Sequence, residues 1–121
     1  MTTSEKMEFK GALQRKRQEI DAEIRAKTSD LTVMEGDHDP LDQVQSMNSR
    51  DEAATMIARL SRILSEVDRS LDAIAEGTYG VCVGCDEPIS PKRLRVIPWA
   101  SRCVSCQEEL ERQEAGRREA A

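Results

Sequence analysis

From Ser49 to Gly77 the chain reads "SRDEAATMIARLSRILSEVDRSLDAIAEG", with apolar residues at Ala53, Ile57, Leu60, Leu64, Val67, Leu71 and Ile74 in alternating steps of four and three. A helix places all seven along one stripe, whereas a strand would scatter them over both faces. The stripe runs unbroken for three heptads, the pattern of a coiled-coil seam. Both ends carry stop signals. Ser49 followed by Glu52 matches a capping box, and Gly77 stands where a left-handed residue closes a last turn. The spacing predicts a helix over 49–77.

So narrow a stripe needs a partner, and the upstream segment 4–31 supplies one. Leu13, Ile20, Ile24 and Leu31 follow the same repeat, with Arg17 and Lys27 at the seam positions between them. Long cationic side chains can lay their methylenes along a partner helix while the charge stays in water. Two antiparallel helices of about 27 residues each make an arm roughly 40 Å long. Their connection, "TVMEGDHDPLDQVQSMN" over 32–48, contains Gly36 and Pro40 as breakers and the acids Glu35, Asp37, Asp39 and Asp42. The predicted arm carries these acids at its far tip.

Composition agrees with an arm rather than a sphere. At 121 residues the chain has room for one domain, and with aromatic residues at 2% it lacks the side chains that usually dominate a globular core. Charged residues make up 34%, as expected where a helix pair buries one stripe and exposes the rest. The net charge of −5 argues against diffuse attraction to nucleic acid phosphates. No segment has the apolar run of a signal peptide or membrane span, so the expected location is the cytoplasm.

All four cysteines fall within "GVCVGCDEPISPKRLRVIPWASRCVSCQ", residues 80–107, as Cys82, Cys85, Cys103 and Cys106 in the spacing Cys-x2-Cys-x17-Cys-x2-Cys. In a reducing compartment this spacing indicates a tetrathiolate zinc site rather than disulfides. Four protein ligands leave no open position for water or substrate, which points to one structural ion. A segment this poor in apolar residues needs that ion to fold, because burial alone cannot hold it. Thiol oxidation with loss of metal is a second reading, though no further resolving thiol accompanies the four. Lys92, Arg93, Arg95 and Arg102 in the loop offset the negative thiolate cluster. Zinc modules that read DNA usually present a basic recognition helix, whereas the segment after Cys106, "QEELERQE", is acidic. It predicts a short terminal helix from about Ser105, where Ser105 and Glu108 again match a capping box. The expected fold is therefore mostly α: an antiparallel two-helix coiled-coil hairpin over 1–77, and a small four-cysteine zinc-finger base with a C-terminal helix over 78–121.

Three lone residues carry less. His38 between two aspartates fits a solvated loop position better than a catalytic or metal site. Trp99 is expected to pack against the helix base, and Tyr79 at the first knuckle. No open metal position or nucleophile–base pair suggests an enzyme.

The zinc segment "YGVCVGCDEPISPKRLRVIPWASRCVSCQ" and the tip "DPLDQV", residues 39–44, resemble the DksA/TraR family, the DnaK-suppressor proteins that bind bacterial RNA polymerase. The likeness spans roughly residues 5–115. It implies a monomeric transcription regulator whose arm enters the polymerase secondary channel and brings the tip acids near the catalytic magnesium. Asp39 and Asp42 match the family's tip acids, and Val44 stands where the family usually has Ala. The family also uses basic residues to bind the alarmone ppGpp at the polymerase interface, in the stringent response. Here the matching positions are Glu66, Ile97 and Gln107, with Arg59 and Arg93 nearby, so weak or absent ppGpp dependence is expected. The alternative is a zinc-stabilised coiled-coil adaptor that holds another protein by the same arm.

Overall fold

The structure is a computed structural model that describes the backbone of residues 1–33 and 40–120, and the side chains of 1–31 and 47–118. Four helices follow in order: α1 (Thr3–Val33), α2 (Pro40–Glu76), α3 (Pro91–Val96) and α4 (Val104–Ala120). Among the described residues the only β feature is an isolated antiparallel bridge between Val81 and Pro88. The mostly α architecture expected from the seam is the one observed.

The direction of the helix pair is legible from its cross-contacts. Phe9 and Tyr79 bring their rings to 5.5 Å, and Arg17 meets Asp68 at 2.7 Å, so the partner position retreats along α2 as α1 advances. The helices are antiparallel. At about 1.5 Å per residue, α1 is about 46 Å long and α2 about 55 Å. All seven expected seam residues of α2 are buried or half-buried. Burial also reaches Ile63 and Ser70, so the covered stripe is wider than the seam.

The core lies at one end. Leu13, Ile20, Val67, Tyr79, Cys82, Ile89 and Leu94 are buried, so arm and base share one cluster. Phe9, Leu71, Ile74 and Trp99 pack around it. On α1, Leu13 and Ile20 are fully covered, while Ile24, Lys27 and Leu31 are half-buried. Arg17 departs from the expectation. It is exposed, and its guanidinium pairs with Asp68 on α2 instead of laying its stem in the seam.

Several boundaries also differ. The connection predicted over 32–48 is largely helical: α1 continues to Val33 and α2 begins at Pro40. Ser49 is therefore an interior residue of α2, about two and a half turns from its start, and caps nothing. Proline fits a first turn, where its missing N–H would be unpaired anyway, and no further breaker follows it in "LDQVQSMN". Ser105 likewise falls inside α4, because the helix starts at Val104 and the Gln107 N–H already bonds to the Cys103 carbonyl at 2.9 Å. The cap that does form is at the start of α1, where Thr2 Oγ1 accepts the Glu5 N–H at 3.1 Å.

The predicted cap at Gly77 is present in full. Gly77 has φ +80°, its N–H bonds to Ile74, and the Thr78 N–H reaches back to the Ala73 carbonyl. This is a Schellman closure, and it turns the chain from α2 into the base.

Candidate metal centre

The first knuckle is built by a tight reversal. The Cys82 N–H bonds to the Glu87 carbonyl at 2.8 Å, the Asp86 N–H to the Cys82 carbonyl at 2.9 Å, and the Ile89 N–H to the Gly80 carbonyl at 2.8 Å. Two residues take positive φ to close it, Gly80 at +86° and Asp86 at +60°. Aspartate tolerates that conformation better than most side chains. The second knuckle opens α4, with Cys103 just before the helix and Cys106 in its first turn. The Val83 N–H donates to the Ser101 carbonyl at 2.9 Å and joins the two knuckles.

The four sulfurs meet. Every pair of Sγ atoms among Cys82, Cys85, Cys103 and Cys106 lies within 4.8 Å, and Cys85 to Cys103 is 3.9 Å. A zinc ion bound tetrahedrally at about 2.3 Å per Zn–S bond separates its sulfurs by about 3.8 Å. The donor set therefore fits one tetrathiolate zinc.

Charge requires the ion as well. Burial pushes the Cys82 thiol up, but N–H groups of Cys103, Cys85 and Gly84 outweigh it and hold Cys82 at about 6. Two of those donors sit 3.3 Å from Cys82 Sγ, the N–H groups of Gly84 and Cys103. The neighbouring Cys103 and Cys82 sulfurs push Cys106 up to about 12. Cys85 is also raised, although the Glu87 N–H works in the opposite direction. Four thiolates at these separations thus require a divalent cation among them.

The packing at the sulfurs also explains Gly84, which sequence reasoning passed over. A Cβ there would stand 3.0 Å from Cys106 Sγ and 3.2 Å from Cys106 Cβ. The residue just before Cys85 must be small because the second knuckle presses against it.

The loop between the pairs contains α3, also unanticipated, although Ser90 before Pro91 is a legible helix start. Leu94 buries its side chain from this turn. Arg93 points inward: its Nε–H donates to the Arg102 carbonyl at 3.0 Å. Tyr79 packs at the knuckle as expected, donating its hydroxyl to the Pro98 carbonyl at 2.8 Å, and burial pushes its phenol up to about 12. Trp99 packs at the helix base, with Lys16 Nζ of α1 5.4 Å from its ring centroid.

Among the described residues the cluster consists of the four cysteines. Asp39 and His38 lie outside the described residues; Asp42 and Val44 belong to the first turns of α2, with side chains outside the description. Glu66 and Arg59 lie on α2, Ile97 caps α3, and Gln107 in α4 donates to Glu111 at 3.2 Å.

Comparison with known proteins agrees with this geometry. Residues 77–112 match the prokaryotic dksA/traR C4-type zinc finger. Over 107 residues the chain is 33% identical to the RNA polymerase-binding transcription factor DksA of Caulobacter vibrioides, covering 88% of this chain and 75% of that one. The chain belongs to the DksA/TraR family. Among solved structures, the transcription factor DksA2 of Pseudomonas aeruginosa superposes with a TM-score of 0.82 at 30% identity, covering 95% of this chain and 89% of that one. An Aquifex aeolicus protein is 48% identical over 50 residues, 41% of this chain and 34% of its own length. Within the DksA/TraR frame, the four-cysteine centre holds one structural zinc, which supplies the positive charge that lets four thiolates converge. Among the described residues no helix is long and apolar enough to cross a membrane.

Proposed function

We propose that this chain is a non-enzymatic, cytoplasmic transcription regulator that binds bacterial RNA polymerase through the secondary channel. In this reading residues 1–77 form the inserted arm and 78–121 the zinc module that fixes its direction. Asp39 and Asp42 act at the tip near the catalytic magnesium and alter the stability of initiation complexes. Val44, bulkier than the usual Ala, weakens or shifts tip docking. The observation that carries the reading is the likeness, along 88% of the chain, to a protein named for binding RNA polymerase. A rigid antiparallel helix pair anchored at one end is also the shape a narrow channel admits.

The same reading assigns weak or absent ppGpp dependence. Glu66 brings an acid, and Ile97 and Gln107 bring neutral groups, where a polyphosphate requires cations. The nearby Arg93 already commits its Nε–H to the Arg102 carbonyl.

Multi-round transcription with purified polymerase on a ribosomal-RNA-type promoter tests the proposal. The double variant Asp39→Asn, Asp42→Asn is expected to lose the effect on transcription while polymerase binding and zinc content stay unchanged, and Val44→Ala to deepen the effect. An adaptor that works through its helix faces would be indifferent to these tip changes.

A further inference from the structure

Of the three cations on α3, Arg93 stands apart. Lys92 and Arg95, its neighbours on α3, are exposed, whereas Arg93 is half-buried and turned toward the second knuckle. Its Nε–H donates to the backbone carbonyl of Arg102 at 3.0 Å, nine residues on and immediately before the zinc ligand Cys103. The flanking peptide groups of that short segment serve the metal site. The Ser101 carbonyl accepts the Val83 N–H at 2.9 Å, and the Cys103 N–H donates to Cys82 Sγ at 3.3 Å. Residues 101–103 thus touch the first knuckle at both ends and are held from α3 in the middle.

The Arg102 carbonyl and the Cys103 N–H are the two ends of one planar peptide group, so a donor that holds the carbonyl also fixes the direction of the N–H. Residues 101–103 lie outside helix and strand, so no backbone ladder of their own holds that plane. From this geometry we infer that Arg93 is a positioning residue of the zinc centre: through the Arg102 carbonyl it aims the Cys103 N–H at the Cys82 thiolate. Cys82 is the fully buried ligand, and a buried thiolate depends on such donors for its charge. The role differs from general cationic neutralisation of the cluster, because it needs an N–H at one place and not merely a positive charge nearby.

The test uses the full-length chain loaded with zinc or with cobalt(II). Zinc transfer to a chromogenic chelator is expected to accelerate at least roughly tenfold in Arg93→Met, which has no donor at the Nε position, the scale typical of lost outer-shell partners of metal ligands. In the cobalt(II) protein the thiolate charge-transfer band moves to longer wavelength, as the Cys82 sulfur loses a hydrogen bond. Arg93→Lys keeps the charge without an Nε–H and behaves like Arg93→Met. Arg95→Gln removes a charge from the same helix and behaves like the parent chain. Rescue by lysine, an equal effect of Arg95→Gln, or an unchanged cobalt spectrum in Arg93→Met would each overturn the assignment. Should the Arg93 variants fail to fold, the unaltered chain still decides the matter. Loaded with cadmium-113, it is expected to show scalar coupling from the metal to the Cys103 amide proton, with the Arg93 Nε–H protected from solvent exchange. Absence of that coupling, or rapid exchange of that proton, overturns the inference.

Discussion

The arm and the base solve the same problem, ordering a chain poor in aromatic residues, by different means. In the arm, two helices bring apolar side chains together at a fixed period, and each contact repeats the one before it. Its order is distributed, so that losing one side chain leaves the others in place. In the base, a segment with few aliphatics converges on four sulfurs, and hydrogen bonds at Cys82, Val83, Gly84, Asp86 and Cys103 hold the knuckles around them. Its order is concentrated in one ion. The two regions meet in a shared cluster where Leu13, Ile20 and Val67 of the arm adjoin Tyr79, Cys82, Ile89 and Leu94 of the base.

Removing the ion should separate them most sharply. Structural zinc contributes roughly 10 to 16 kcal/mol of apparent binding energy at neutral pH, more than a base of this kind gains by burial. Exhaustive chelation, or Cys103→Ala, is expected to unfold residues 78–115, while part of the helical circular dichroism of the arm survives. Retention of the whole fold without metal would erase the distinction between the regions.

A truncation in the arm has a smaller effect. Leu13 is fully buried, and Leu13→Ala is expected to cost about 3 kcal/mol by denaturant unfolding, with zinc stoichiometry unchanged.

Tyr79 sits at the junction and titrates accordingly. Its phenol is raised from 10.0 to about 12 in the folded chain, so the neutral form is the one that folding favours. The stabilisation is complete below pH 10 and is lost as pH rises through the window from about 10 to about 12. Melting temperature should fall across that window in the parent chain, and Tyr79→Phe should flatten the fall. Tyr79→Phe is also expected to cost about 1 kcal/mol at neutral pH for the lost bond to Pro98.

The smallest test applies one substitution to both regions. Gly11 lies inside α1, where a Cβ would meet only the flexible end of Arg15 at 3.4 Å, and Gly11→Ala should stabilise by about 0.5 to 1 kcal/mol. Gly84→Ala would set a Cβ 3.0 Å from Cys106 Sγ and should destabilise by about 1 to 2 kcal/mol with faster zinc loss. Equal signs for the two substitutions would mean that the base yields as readily as the arm.

Much of this was legible in the residues. The period of the α2 seam, the glycine that ends it and the cysteine spacing each rest on local chemistry that few alternatives satisfy, and all three appear as read. Side-chain roles that depend on distant partners were less accessible. The positions of Arg17, Arg93 and Gly84 identify a long cation, a loop cation and a small residue. Only the fold reveals that they meet Asp68, the Arg102 carbonyl and the Cys106 sulfur. Phe9 likewise finds its partner 70 residues away in the chain, at Tyr79.

The pattern Ser/Thr-x-x-Glu shows where the division falls. It occurs at Thr2, Thr32, Ser49 and Ser105; Glu35, which completes the second, lies outside the described residues, and the other three are equal as sequence. Thr2 caps α1, Ser49 is absorbed by a helix that Pro40 starts earlier, and Ser105 is pre-empted by the knuckle that already opens α4 at Val104. A cap is chosen by whichever upstream residue can begin the helix first, and that depends on what the chain before it is packed against. By itself the sequence determined the periods, the ligands and the breakers, because these follow from backbone geometry and metal chemistry within a few residues. The tertiary structure decided which caps form, which cations are committed to internal bonds and how far the helices run, because those outcomes are competitions settled only when distant segments meet.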